Sequence, residues 1–145
     1  MKLAVYQMED RGEARINIEQ AYNSIINTEA DFFTLPEFFS IPEGDFKKKY
    51  TPEECWQETG KPSLEMLEKA SRRFKGYIVG GTVLEKKDGA YYNTCPVFKD
   101  GSLVARYRKI NLIQDDRDLN VSPGKETVTL DTLSVKSASL SAPTS

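Results

Sequence analysis

Glu37 and Lys109 are two charged residues set in apolar surroundings. Glu37 lies in FFTLPEFF, just past the apolar run Asp31–Leu35 and flanked by Phe32, Phe33, Phe38 and Phe39. Lys109 closes the run LVARYRKINL, among Tyr107, Ile110 and Leu112. A carboxylate that aromatic neighbours strip of water suits a general base, and an amine delivered into an apolar setting suits the stabilisation of a developing negative charge. Each has a plainer reading too: Glu37 as a loop glutamate facing water, Lys109 as an edge-strand lysine that discourages aggregation. The chain has no histidine, which removes Ser-His and Cys-His nucleophile pairs and the common His-containing zinc sites. Two cysteines, Cys55 and Cys95, make neither a metal quartet nor a disulfide framework and point to a reducing compartment, the cytoplasm.

The elements that must position these residues follow from the apolar patterning. Leu3–Tyr6 reads as a short buried strand, Glu13–Asn27 as a helix with Ala14, Ile18, Tyr22, Ile25 and Ile26 on one face, and Asp31–Leu35 as a second buried strand. Strand, helix and strand at this spacing imply a right-handed βαβ unit, which puts Glu37 beyond the carboxyl end of a parallel strand, where open α/β sheets place their sites. Phe38–Gly60 reads as a long irregular segment with a short helical turn around Glu53–Trp56, and a connection of that length points to function. A second helix is expected from a Ser63 cap through Phe74, stopped by Gly76. Three strands in a meander then follow, Tyr77–Glu85, Ala90–Lys99 and Leu103–Ile110, turning at Asp88-Gly89 and Asp100-Gly101. Beyond lie a charged loop, Gln114–Asp118, a turn at Ser122–Gly124, and a short strand, Thr127–Leu130.

The 145 residues suffice for one domain with a real core, and 39% apolar with 29% charged residues is ordinary for a globular protein. A net charge of −2 offers no basic surplus for phosphates, so neither nucleic acid nor an anionic membrane is expected as a partner. The clusters Lys47–Lys49 and Arg72-Arg73 are short and read as solvated faces. No apolar run is long enough to span a membrane, and the amino terminus is too polar for a signal peptide.

From Lys2 to about Asp131 the chain resembles the carbon–nitrogen hydrolase (nitrilase) superfamily. The resemblance rests on KLAVYQM at the start, LPEFF, Gly80–Val83 (GGTV), Tyr91–Thr94 (YYNT), DGSLVARYRKINL and Ser122–Gly124 (SPG). LPEFF followed far downstream by YRK in this strand context is a strong signal, whereas either alone is weak. The resemblance implies an αββα sandwich, of which this chain would hold the N-terminal half: a mixed sheet with two helices on one face. It implies a Glu-Lys-Cys mechanism on amide, nitrile or carbamoyl substrates, with no cofactor or metal, in proteins that tend to form homo-oligomers. Position by position, Glu37 matches the general base and Lys109 the residue that stabilises the tetrahedral intermediate. Asp115 or Asp116 falls near a further acid that helps position the substrate, although the loop length differs and that acid is usually glutamate. Asn111 stands where the family commonly has histidine.

The nucleophile is the departure. The family cysteine follows the lysine on a further strand, in a pattern like GKIGxxICxD, and neither cysteine here fits. Cys95 precedes Lys109 and reads as a buried structural thiol, while Cys55 lies in the loop after Glu37. Thr132–Ser145 is Ser-rich with no aromatic residue and reads as a disordered tail. Codons can be chosen for Leu133–Ser145 that, one frame over, spell FGKIGVSICTDI, with the cysteine codon straddling Ser141 and Ala142. The expectation is a partial hydrolase domain over residues 1–131, a frameshifted tail over 132–145, and a truncated chain without activity. Two other readings stay open. One is a non-catalytic module in which Glu37 and Lys109 form a structural ion pair. The other is an unrelated doubly wound small-molecule binder with Gly80-Gly81 at its ligand, which Glu37 and Lys109 lying far apart would favour.

Overall fold

The structure, a computed structural model, describes residues 1–45, 50–125, 128–130 and 138–140. Strands β1 (Leu3–Val5), β2 (Phe32–Thr34) and β3 (Tyr77–Val79) pair in parallel, with Leu3, Phe32 and Tyr77 in register. The first two are joined by helix α1 (Ala14–Ile26), which completes the βαβ unit expected from the sequence. Strand β5 (Ala90–Lys99) is the pivot of the sheet. It pairs antiparallel with β3 and β4 (Val83–Lys87) along one edge and with β6 (Ser102–Arg108) along the other. Both hairpins turn through Asp-Gly with each residue left-handed, at φ 50° and 79° for Asp88 and Gly89 and 51° and 79° for Asp100 and Gly101. That is the backbone a two-residue turn needs to match the strand twist.

Both long helices cover one face of the sheet. Ala21 and Ile25 from α1 pack with Met66, Leu67 and Ala70 of the second helical region against Phe33, Leu35 and Ile78. These three sheet residues sit at alternating positions, so one face of the pleat carries the core. Side chains of opposite parity on the edge strand, Leu3 and Val5, are 57% and 67% exposed. A second, smaller cluster of Phe38, Ile41, Cys55, Leu84, Leu119 and Val121 lies around the segment that follows β2.

Within residues 1–125, three elements differ from the sequence reading. The second helical region begins at Pro52, not at Ser63: α2 (Pro52–Cys55) runs through a π-helical turn at Trp56–Gly60 into α3 (Lys61–Ser71). Thr51 caps its start by accepting the Glu54 N–H at 3.1 Å, with Pro52 at the first helical position. Gly60 inside this run serves close packing, since a Cβ there would run into the Leu84 carbonyl. A helix interior tolerates Pro62 where the ladder is locally widened, as a π turn does. The expected strand Tyr77–Glu85 is split at Gly80–Thr82, because Gly81 turns left-handed at φ 60°. The loop Gln114–Asp118 is a short helix, α4.

In the tail expected to be disordered, Ala138–Leu140 forms a strand, β8, antiparallel to β7 (Val128–Leu130). Such a ladder needs only backbone groups, which is why composition does not announce it. The rest of 132–145, Thr127 and the Lys47–Lys49 cluster lie outside the described residues.

Candidate functional site

Glu37 sits two residues past Leu35, whose N–H still pairs with the Val79 carbonyl at 3.0 Å. The chain then makes a turn that L residues resist: Phe38 has φ 47°. The Gly80–Thr82 break holds that turn. A Cβ at Gly81 would run into the Pro36 carbonyl, so only glycine lets the two segments approach. Thr82 Oγ1 accepts the Phe38 N–H at 2.9 Å. The split in the expected long strand is thus the support for the Glu37 turn.

Lys109 leaves the end of β6. Its N–H donates to the Asn93 carbonyl of β5 at 2.8 Å, and its own carbonyl accepts the Gly124 N–H at 2.9 Å. Gly124 belongs to the Ser-Pro-Gly turn, and a Cβ on it would run into the Arg108 carbonyl. Sequence-distant strand ends therefore bring Lys109 to Glu37.

Four side chains close a ring. Lys109 Nζ lies 3.1 Å from Glu37 Oε2 and 3.3 Å from Asp116 Oδ2. Asn93 Nδ2 donates to the same Glu37 Oε2 at 3.1 Å and to Asp116 Oδ1 at 2.8 Å. Asp116 Oδ2 also accepts the Ile113 N–H at 3.0 Å, which caps the start of α4. The Lys109 and Asp116 side chains are 3% and 0% exposed, Glu37 38%. Burial works against the Lys109 charge, but the two carboxylates outweigh it and hold its pKa above the ordinary lysine value.

The desolvated setting expected for Glu37 is not what the structure has. Phe33 and Phe39 turn into one core cluster and Phe38 into the other, leaving the carboxylate partly open. Oε2 takes both donors, and among the described residues no hydrogen-bond partner falls on Oε1. Glu37 lines a cavity of about 250 Å³ together with Asp10, Phe39, Glu43 and Asp115. Asp10 ties the far wall: it accepts the Gly12 N–H at 2.9 Å, the Asn17 amide at 3.0 Å and the Glu43 N–H at 2.8 Å. Those bonds, with Asn17 first, hold its pKa below the ordinary carboxylate value.

Of the two acids expected near this place, Asp116 joins the ring and Asp115 lines the cavity. Neither cysteine lines the cavity. Burial pushes the Cys55 thiol up to about 11 and the Cys95 thiol up to about 12, the opposite of an activated nucleophile. Sequence reasoning missed Asn93, Thr82 and Asp10. The signal for Asn93 was an amide in the middle of a β-branched and aromatic strand, a position that burial makes costly without partners. Among the described residues no group of three or more His, Cys, Asp or Glu side chains could hold a metal, and no helix is long and apolar enough to cross a membrane.

A mixed α/β sheet covered by helices on one face, with an acid and a lysine meeting where its strands end, sets the class of the protein. The model of the carbon-nitrogen hydrolase family matches residues 2–137, and the chain belongs to that family. It is 33% identical over 143 residues to the omega-amidase NIT2 of Homo sapiens, covering 90% of this chain and 50% of that protein. It is 37% identical over 112 residues to omega-amidase NIT2 of Pongo abelii, covering 71% of this chain and 39% of that one. Among solved structures, Saccharomyces cerevisiae Nit3, a nitrilase-superfamily member, superposes with a TM-score of 0.70 at 26% identity, over 92% of this chain and 52% of that one. An amidase from Nesterenkonia sp. shares the fold at a TM-score of 0.74 and 16% identity, over 96% and 54%. The chain spans half or less of the length of these two curated relatives, and its fold is a partial nitrilase-type sandwich matching about half of the solved ones. The close approach of Glu37 and Lys109 leaves nothing to favour the unrelated doubly wound binder.

Proposed function

We propose that this chain carries the base and the lysine of a Glu-Lys-Cys hydrolase for non-peptide C–N bonds and does not itself supply the nucleophile. The observation that carries the reading is the 3.1 Å contact between Lys109 Nζ and Glu37 Oε2, beside a cavity that Glu37 lines. In this reading Glu37 takes a thiol proton, and the thiolate attacks the amide carbon. Lys109 faces the oxyanion that forms, and ammonia leaves with the proton from Glu37. Glu37 then draws a proton from water, which adds to the thioester and releases the acid and the thiol. Asp116 holds Lys109 in place, and Asp115 faces the substrate from the cavity wall. Among amide, nitrile and carbamoyl substrates the amide is favoured, because the curated relatives named above are omega-amidases. Two unpaired thiols fit the cytoplasm. A homo-oligomer fits the exposed Leu3 and Val5.

The missing nucleophile is read as lying one frame over, in Leu133–Ser145. Sequencing the coding DNA tests this: the expected codons spell FGKIGVSICTDI in the shifted frame, and any other codon choice refutes it. The purified 145-residue chain should release no ammonia from small amides. Release that vanishes in Glu37→Gln would overturn that half of the proposal. The buried Lys109–Asp116 pair, which would order α4 in any role, favours one second reading, a non-catalytic binding module. A thiol-reactive amide analogue separates the two, since it labels a frame-restored hydrolase and leaves a binding module unlabelled.

A further inference from the structure

We infer that Asn93 is the positioning residue of this site, its amide joining Lys109 in holding one carboxylate oxygen of Glu37 so that the other is left to the cavity. The inference rests on the reading of Glu37 as the base. Asn93 is 1% exposed, in the middle of β5 and opposite Leu84 of β4. Its Nδ2 donates to Glu37 Oε2 and to Asp116 Oδ1, which uses both of its protons. Its Oδ1 is buried and has no hydrogen-bond partner among the described residues. Flipping the amide would aim that oxygen at two carboxylates, so charge fixes the orientation.

A side chain kept only for packing would not leave an acceptor stranded. A leucine of similar size would fill the space without an unpaired polar atom. What leucine cannot do is donate. Lys109 and Asn93 converge on Oε2 from two directions, each at 3.1 Å. The carboxylate cannot swivel without losing both bonds, which leaves Oε1 to the cavity. Asn93 does this without adding charge, so the ring remains two carboxylates and one ammonium. An aspartate there would bring a third negative charge against a single lysine. The backbone carbonyl of Asn93 also accepts the Lys109 N–H at 2.8 Å, so one residue sets the base and places the strand end of the lysine.

The test is NMR of the isotope-labelled full chain, reading correlations across hydrogen bonds from side-chain nitrogens to carboxyl carbons. In the wild type, Asn93 Nδ2 should correlate with both Glu37 and Asp116, and so should Lys109 Nζ. In Asn93→Leu the Lys109–Glu37 correlation should be lost and the Lys109–Asp116 correlation kept, with the amide signals of β1, β2 and β3 unmoved. An asparagine that merely supports the strand would shift β5 amides and leave the Lys109–Glu37 correlation at full intensity, which overturns the inference. Absence of either Asn93 correlation in the wild type overturns it as well. Should Asn93→Leu not fold, Asn93→Val, which loses the donors, adds no charge and suits a strand, takes its place. The wild-type correlations decide alone if neither folds. These readouts do not depend on hydrolysis, so they stand or fall separately from the amide assay.

Discussion

Replacing Lys109 by methionine keeps most of the side-chain volume and removes the only cation of the ring. Asp116, 0% exposed, would then hold an uncompensated charge in the interior. Breaking a buried pair from one side costs about 3–5 kcal/mol, far more than an exposed pair is worth. Two facts place this case near the low end. Asp116 keeps its bonds from Asn93 and the Ile113 N–H, and Glu37 is open enough to recover water. We expect Lys109→Met to cost about 3 kcal/mol, which at roughly 2 kcal/mol per molar urea lowers the unfolding midpoint by about 1.5 M. Adding Asp116→Asn, which keeps the shape and drops the charge, should recover about 2 kcal/mol of that loss. The cost should also follow pH in one direction. The folded pKa of Lys109 lies above its ordinary 10.5, so its contribution is fully present below 10.5 and is lost as pH rises through the folded value. The gap between wild type and variant should therefore be constant from neutral pH to 10.5 and narrow above it. A single-variant cost under about 1 kcal/mol, or a double variant no milder than the single, would refute the reasoning, because Lys109 would then behave as a surface charge.

Three further expectations follow from the same structure. At pH 8, Cys55 and Cys95, with thiols near 11 and 12, should react with iodoacetamide about 100-fold more slowly in the folded chain than in urea; rapid labelling of either would contradict their burial. Gly81→Ala should destabilise by about 2 kcal/mol or more, from left-handed strain plus the Pro36 carbonyl clash, and Thr82→Val by about 1–2 kcal/mol, both read in urea melts. Near-neutral values would mean that the Glu37 turn is not held from Gly80–Thr82. Acid should unfold the chain through specific carboxylates. Lys86, Tyr91 and Gln57 hold Glu53 down at about 2. For Glu85, burial is outweighed by Arg108, Thr94 and Arg106, so its pKa also lies below 4.5. Depressed folded values mean that the stabilisation is present above 4.5 and lost as pH falls through them, so Glu85→Gln should weaken the fold at pH 7 and its cost should shrink as pH falls below 4.5.

The parts legible in the sequence were those decided by local rules. The three-residue strands at Leu3 and Phe32 and the helical period of α1 announced a βαβ unit. Both hairpins followed from Asp-Gly, whose left-handed backbone no tertiary contact has to impose. What stayed hidden was decided by neighbours. Gly60 closed the segment read as irregular, yet it sits inside a helical run, with its Cα so close to Leu84 that no side chain fits. Gly80-Gly81 reads as an interruption to be spanned by one strand, yet it splits the strand in order to approach Pro36. For the acid loop, the sequence offered Asp115 and Asp116 without choosing. The choice depends on which carboxylate can cap Ile113 and still reach Lys109, and that geometry exists only once α4 has formed. The role of Asn93 was hidden for a related reason: its partners lie on the segment after β2 and on α4, both distant in the chain.

The ring also explains why one acid is buried and the other is not. Lys109 cannot be buried without a counter-charge, and Asp116 supplies it from inside, with its remaining lone pairs met by Asn93 and a backbone N–H. With Asp116 in that role, the ring carries one carboxylate more than it needs, and the surplus falls on Glu37, the member at the cavity. Every group in this arrangement lies between Glu37 and Asp116 in the sequence. In the reaction proposed above, the Glu37 carboxylate is the group that would meet an incoming thiol, with its second oxygen left free by the ring.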